Sequence, residues 1–477
     1  MLCAATAAYS VLQSVVVPAL GVFQHQLRTT PSGAAWILTA FLLSASVSTP
    51  VLGRFADLRG KGPVLAAALA AMSAGSLISA AADSLGLMVA GRVVQGLGGA
   101  VFPLCFALVR DHVAPALRPR AFVTVSTVMS VSGAAGTVTA GPLLAALSSR
   151  WLFILPAVVS ALAALSVATL IPSAAPPSPG ARVGWRGAAL LASWLTLLLL
   201  AISMVPTRGW LSPTVLGTAG GAVVLLGLWL TAEVRARHPL VDMATLSMPT
   251  VRATNAATLL LGFGTFGSWM LIPLLVAQPA GTGIGFGASP GTVGLVMLPN
   301  AVGTLLVMPL NRRLTSRHGP RVALPLGASV AAVAYLLLAV AHGSLAAVCG
   351  AVLLMGVGVG LSFAAVASLV VEAVPLAQTA VSAGINTVMR TIGGSLGASV
   401  GASLLTASIN AAGYPTPRAY TIAILVYAGA LAGAAVIASR VPAPLPPLSA
   451  VPPSRVDHAL VVPRKSHLGD VSPTTPA

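Results

Sequence analysis

Two arginines of this chain stand inside long apolar stretches, where a cation is least at home. Arg92 opens R-V-V-Q-G-L-G-G-A, residues 92–100, and Arg390 lies within S-A-G-I-N-T-V-M-R-T-I-G-G-S-L-G, residues 382–397. An arginine at the centre of a membrane helix costs roughly 2.5 to 3.5 kcal/mol on insertion scales, so each must face a bundle interior or a cavity. Arg92, followed by Gln95 and Gly96, either couples helices functionally or only hydrogen-bonds its neighbours. Arg390 is roughly 18 Å along its helix, near mid-membrane. It binds an anionic or polar group of a cargo, or it ties helices together through backbone carbonyls and Asn386.

A third motif, G-R-F-A-D-L-R-G-K-G at residues 53–62, sets a carboxylate at a helix end before a tight basic turn. Gly53 and Gly60 permit close approach and positive φ. Asp57 is placed to cap a neighbouring helix or to pair with an arginine, with Arg59 beside it. Further on, Gly133, Gly136, Gly141 and Pro142 share one apolar stretch, which points to close packing and a bend.

The eight carboxylates are Asp57, Asp83, Asp111, Glu233, Asp242, Glu372, Asp457 and Asp470, and none falls mid-stretch. Proton handling would therefore rest on Asp57 and Glu372 near helix ends, with His25 and His112 as further titratable groups. Asp111, beside Arg110, reads as a solvated helix end. Polar or aromatic side chains able to line a cavity are Gln13, Gln95, Asn255, Trp269, Gln278, Asn300, Asn386 and Arg390. Trp36, Trp151, Trp185 and Trp210 fall where an interfacial aromatic belt is expected. Cys3, Cys105 and Cys349 have no spacing that suggests a disulfide framework or a metal site.

The elements that must position these residues follow from composition. Of 477 residues, 57% are hydrophobic and only 7% charged, with a net charge of +17. A soluble surface needs about 25% charged residues, so most of this surface must meet lipid. The long, unalternating apolar runs exclude a β-barrel and predict an all-α polytopic membrane protein. Fourteen spans are predicted, near 4–23, 34–55, 62–82, 86–109, 122–146, 151–171, 186–206, 213–232, 254–277, 290–311, 320–341, 344–370, 378–407 and 419–439. With a cytoplasmic N-terminus, nineteen of the 25 Lys and Arg fall on the cytoplasmic face, as the positive-inside rule requires. This scatter over short loops also excludes a nucleic-acid-binding domain. Four regions result: a six-helix bundle over 1–171, two extra spans over 172–252, a second bundle over 253–441 and a disordered cytoplasmic tail over 442–477.

The motifs at residues 53–62, 92–100 and 133–142, in this order and at these spans, resemble those of the major facilitator superfamily. The fourteen spans, G-W-R-G-A-A-L-L from Gly184, E-V-R-A-R-H-P-L-V-D from Glu233, V-V-E-A-V-P from Val370 and the stretch from Ser382 to Gly397 resemble its fourteen-span drug:proton antiporter branch. The resemblance implies two six-helix bundles plus two extra central spans, with a mid-membrane cavity that opens alternately to either side. It also implies export of small amphipathic compounds from a bacterial cell, through the inner membrane, by proton antiport. The protein would act as a monomer without cofactor or metal, with both termini cytoplasmic. Gating or coupling would fall to Gly53, Asp57, Arg59, Gly60, Arg92, Gln95, Gly96, Gly141, Pro142 and Glu372. The substrate cavity would be lined by Gln13, Trp269, Asn300, Asn386 and Arg390. Span 1 departs from the branch, because Gln13 stands where an acidic residue is usual. R-R-L-T-S-R-H-G-P-R, residues 312–321, echoes the basic turn after span 2 without a counterpart of Asp57.

Overall fold

The computed structural model describes residues 1–16, 19–29, 31–171, 184–236, 239–341, 343–410 and 413–442. The start of the expected two-span region, 172–183, and most of the expected tail lie outside them. Eight helices come first: α1 (Leu2–Ser14), α2 (Leu20–Gln26), α3 (Pro31–Arg59), α4 (Lys61–Ala80), α5 (Leu85–Gly96), α6 (Val101–His112), α7 (Arg118–Ala146) and α8 (Trp151–Leu170). A hairpin follows, α9 (Trp185–Arg208) and α10 (Pro213–Arg235). The last group is α11 (Met243–Ser247), α12 (Pro249–Ala277), α13 (Pro290–His318), α14 (Pro320–Ala341), α15 (Leu345–Ala373), α16 (Thr379–Thr406) and α17 (Pro417–Ser439).

Local sequence explains these boundaries. Ser84, Ser212, Ser289, Ser344 and Thr416 each accept the N–H three residues on, capping α5, α10, α13, α15 and α17. Each satisfies a donor that the first helical turn leaves unpaired. At the opposite, arginine-rich end, Gly60 (φ 102°) and Gly319 (φ 80°) turn the chain out of α3 and α13, in a conformation that disfavours any Cβ. The two turns therefore correspond at these glycines, and Gly53 and Arg312 each lie seven residues before them. This register is offset by two residues from the K-G-P-V and H-G-P-R echo.

Twelve helices among the described residues are long and apolar enough to cross a membrane, by length and composition. One is α5 and α6 taken together, joined by a 3-10 turn at Leu97–Ala100. The segments expected as spans 1 and 13 are helical but outside this set. Span 1 is divided into α1 and α2, of 13 and 7 residues. Span 13 is the 28-residue α16, rich in Gly, Ser and Thr, and so less apolar.

Three apolar clusters hold the bundle together. The first gathers α1–α8 around buried residues such as Leu12, Phe41, Leu104 and Phe153, and the second gathers α12–α17 around Leu271, Tyr335, Val352 and Tyr427. In the third, Leu191, Trp194 and Leu195 of α9 meet Val381, Ile385 and Ile392 of α16. The helix pair α9 and α10 therefore rests on the flank of α16, with α9 also touching α3. Between the two groups, α3 packs on α16 and α13 packs on α7. Each contact joins the second predicted span of one group to the fifth of the other, which is the pattern of a two-fold pseudo-symmetric interface.

Candidate functional site

At mid-height between the groups lies a cavity walled by α1, α3, α6, α7, α12, α13, α15 and α16. Its polar lining includes Gln13, Asn300, Thr265, Thr387 and Arg390, and its aromatic lining is Tyr9, Phe102, Phe266, Trp269 and Phe363. A second, smaller space is lined by Phe106, Thr258, Val370, Ala383 and Asn386, residues nearer the arginine-rich ends of their helices. Phe102, Met129, Phe363, Thr387 and Arg390 belong to both linings.

Arg390 stands on this shared wall. Its guanidinium carbon lies 5.7 Å from the Phe102 ring centroid and 5.3 Å from that of Phe363, and Nη1 points to the Met129 sulfur at 3.8 Å. Of the two roles open to it, the structure does not show tethering through Asn386. That amide donates instead to Asn255 Oδ1 at 2.8 Å and Thr258 Oγ1 at 2.9 Å, joining α16 to α12. A Cβ at Gly262 of α12 would overlap the Arg390 carbonyl oxygen, so the close approach of the two helices fixes where Arg390 starts.

Gln13, Trp269, Asn300 and Arg390 thus share one cavity, and Asn386 borders the smaller one. Three other expected lining residues are engaged elsewhere. Gln278 donates to the Pro415 carbonyl at 3.0 Å, and Asn255 is taken up by Asn386. Gln95 bonds Arg92, Ser76 and Ser79 away from the cavity.

Arg92 is fully buried. Its Nε donates to the Ile37 carbonyl at 2.9 Å and Nη1 to Gln95 Oε1 at 2.6 Å, while its guanidinium covers the Phe41 ring at 4.3 Å. The arginine therefore ties α5 to α3 and, through Gln95, to α4. Beside it Gly96 packs on Ser44, and the Ser48 hydroxyl donates to the Gly96 carbonyl at 2.8 Å.

The arginine-rich end is closed by contacts that cross between the groups. Asp57, 3% exposed, accepts the N–H groups of Ala380 and Val381 at 3.1 and 3.0 Å. A carboxylate at the first turn of α16 meets both unpaired donors and the positive end of the helix dipole. Gly53, one turn earlier on α3, makes this possible, because a Cβ there would come within 2.8 Å of the Ala380 carbonyl oxygen. Arg110 Nη1 donates to the Val374 carbonyl at 2.7 Å and to Thr379 Oγ1 at 2.8 Å. On the other side Arg312 Nη2 donates to Thr124 Oγ1 at 2.8 Å.

Several gating candidates take other places. Arg59 is exposed and covers the Phe55 ring of its own helix at 4.7 Å, so it does not share the latch with Asp57. Gly141 faces open space and makes no close approach, and Pro142 falls in the last turns of α7, away from its middle. Glu372 is exposed at the closed end. Asp111 is paired with Lys61 at 2.7 Å, which bridges the basic turn to the end of α6.

The Major Facilitator Superfamily family model matches twice, over residues 2–253 and 254–472. The chain belongs to the Major Facilitator Superfamily. The two matches divide within the first turns of α12, near the start of the second group, in keeping with a superfamily built by duplication of a helical half. Among similar proteins, "Multidrug resistance protein B homolog" of Mycobacterium tuberculosis is 28% identical over 314 residues, 64% of this chain and 56% of the relative. The chain thus spans little more than half of that relative's length. "Cephamycin export protein CmcT" of Amycolatopsis lactamdurans is 28% identical and covered at 78% of both chains. "Uridine/deoxyuridine transporter" of Lactococcus lactis is 31% identical, over 65% of this chain and 66% of its own. A crystal structure of the human organic anion transporter MFSD10 superimposes with a TM-score of 0.65 at 16% identity, covering 92% of this chain and 98% of its own. This likeness shows the fold that the two chains share.

Sequence reasoning did not single out Tyr9, Phe102, Met129 or Phe363 as cavity walls, or Arg110 and Arg312 as crossing residues. Apolar wall residues carry no signal, since lipid-facing and cavity-facing side chains look alike in an all-apolar helix. The arginines were hidden among charges that topology alone explains.

Proposed function

We propose that the chain is a secondary active exporter of small amphipathic compounds, of the fourteen-span drug:proton antiporter branch, in a bacterial cell membrane with both termini cytoplasmic. The observation that carries this is the mid-height cavity with its arginine-rich, cytoplasmic end latched by Asp57, Arg110 and Arg312. Apolar walls with a few polar groups suit an amphipathic cargo, and cargo would leave outward from the conformer latched inside. The names of the multidrug-resistance and cephamycin-export relatives support the direction. In this reading one chain works alone in the lipid bilayer, Asp57 and Glu372 carry the protons of antiport, and spans 1 and 13 cross the membrane with the twelve apolar helices.

A second reading is an uncoupled facilitator or importer of the same fold for a neutral or anionic small molecule. None of the six carboxylates among the described residues lines either central space, and one relative is named for uridine transport. Uptake of cationic, neutral and anionic amphipathic dyes into everted vesicles, with a pH gradient imposed and then collapsed by nigericin, separates the readings. Uptake that stops with the gradient supports proton antiport. Uptake that persists selects the facilitator, and absence of uptake for every dye overturns export.

A further inference from the structure

We infer that Arg390 is the recognition site for a single anionic group, so that the cargo is an amphiphile bearing a carboxylate, sulfonate or phosphate. The inference deepens the transport reading above and rests on it. A guanidinium held in an apolar bundle normally has a carboxylate or several carbonyls as partners. Among the described residues Arg390 has neither: its neighbours are two aromatic faces and a thioether sulfur. Cation–π contacts and a sulfur acceptor are weaker than a charge-assisted hydrogen bond and leave most of its five donors unused.

The partners it might have used are committed. Asn386, one turn earlier, is spent on Asn255 and Thr258, and no carboxylate among the described residues lines either central space. Gly262 seats α12 directly on the Arg390 carbonyl, which fixes the point at which the side chain leaves α16.

The wider field has the same sign. Arg92 is also buried without a carboxylate, and its Nη2 has no hydrogen-bond partner among the described residues. Phe41, under Arg92, touches Tyr9, and Tyr9 meets Phe102 edge-on at 4.9 Å, below Arg390. Two guanidinium groups therefore flank one aromatic cluster: Arg390 reaches the cavity wall, and Arg92 lies fully buried behind it with no carboxylate partner among the described residues. An anion entering there gains a partner and relieves the uncompensated charge, whereas a cation meets repulsion in a low-dielectric site. Tyr9, Gln13 and Asn300 add polar atoms for the remaining headgroup oxygens, and Phe266, Trp269 and Phe363 offer surface for an apolar body.

The full chain, purified in a non-ionic detergent, is titrated with 11-(dansylamino)undecanoic acid and with its methyl ester, reading dansyl emission. The expected result is binding of the acid about tenfold or more tighter than the ester, as a charged hydrogen-bond partner supplies. Arg390→Gln removes that difference by weakening the acid alone, and Arg390→Lys keeps part of it. Met129→Glu places a carboxylate beside the guanidinium, and it should also remove the preference for the acid over the ester. This second variant decides the matter if Arg390→Gln lowers the melting temperature. Competition by a soluble aryl carboxylate against phosphatidylglycerol shows whether a free acid or a lipid headgroup fills the site, and displacement by either supports an anion site. Equal binding of acid and ester to the unaltered chain overturns the inference while leaving export standing. Failure of both probes to bind removes the cavity from both.

Discussion

Asp57 spends both oxygens on the first turn of a helix from the opposite half, 323 and 324 residues further along the chain. Asp57→Asn keeps one acceptor and turns an amide donor toward the second N–H, which leaves that donor unpaired. Loss of one charge-assisted bond is worth about 2 kcal/mol, roughly a thirtyfold shift of the latch equilibrium toward the open state. A cysteine placed at Ala367, beside the inner cavity, should then react faster with an impermeant maleimide added from the arginine-rich side. Unchanged labelling would show that Asp57 does not hold the latch. At this scale the sequence was informative wherever a residue was out of place, as Arg92, Arg390 and Asp57 were. Arg59 and Arg110 show the limit: adjacent charges near a membrane face look equivalent, and only the partner distinguishes the one that crosses from the one that lies on its own helix.

Among the elements, α16 has the most varied surroundings. It packs on α12 through Gly262, Gly393 and Gly397, on α3 through the Gly53 contact and on α9 through apolar side chains. Its small residues, which lower its hydropathy, are what allow three helices to approach it. Before α16 begins, Gln378 donates to Asp242 Oδ2 at 3.0 Å, fastening the chain ahead of α11 to the start of α16. This bond, with the N–H of Ala244, holds the Asp242 carboxyl below the usual carboxylate range. A group whose folded pKa is depressed stabilises the fold above its unfolded pKa, about 3.9 for Asp. The contribution is lost as pH falls through the lower folded value. Amide exchange of residues 243–247, compared with exchange in α12, should therefore quicken selectively as pH falls below about 4. Asp242→Asn should exchange faster at neutral pH and lose the acid dependence. An acid-independent profile in the unaltered chain would rule the tether out.

Across the whole molecule, the alternating access proposed above requires the arginine-rich end to open when the two halves rock. Joining Thr124→Cys to Arg312→Cys with a short bis-maleimide, in a chain freed of Cys3, Cys105 and Cys349, should abolish dye uptake by everted vesicles. Each single cysteine, blocked alone, should leave uptake intact. Transport by the cross-linked chain would mean that α7 and α13 need not separate. The pseudo-symmetry behind this prediction was only partly legible. The basic turns after spans 2 and 10 echo each other in letters, yet the register follows Gly60 and Gly319, where positive φ ends the helices. The crossing contact is a carboxylate on helix amides in one case and an arginine on a hydroxyl in the other.

Composition alone determined that this chain is an all-helical membrane protein, because 57% hydrophobic residues with 7% charge cannot form a water-facing surface. Hydropathy located the helices, since it depends on local transfer energies. The tertiary structure decided which polar groups spend their hydrogen bonds on one another and which face empty space. That choice depends on partners hundreds of residues away, as Asn386 and Arg390 show: they share one helix four residues apart, yet one is fully engaged and the other is left without a counter-charge.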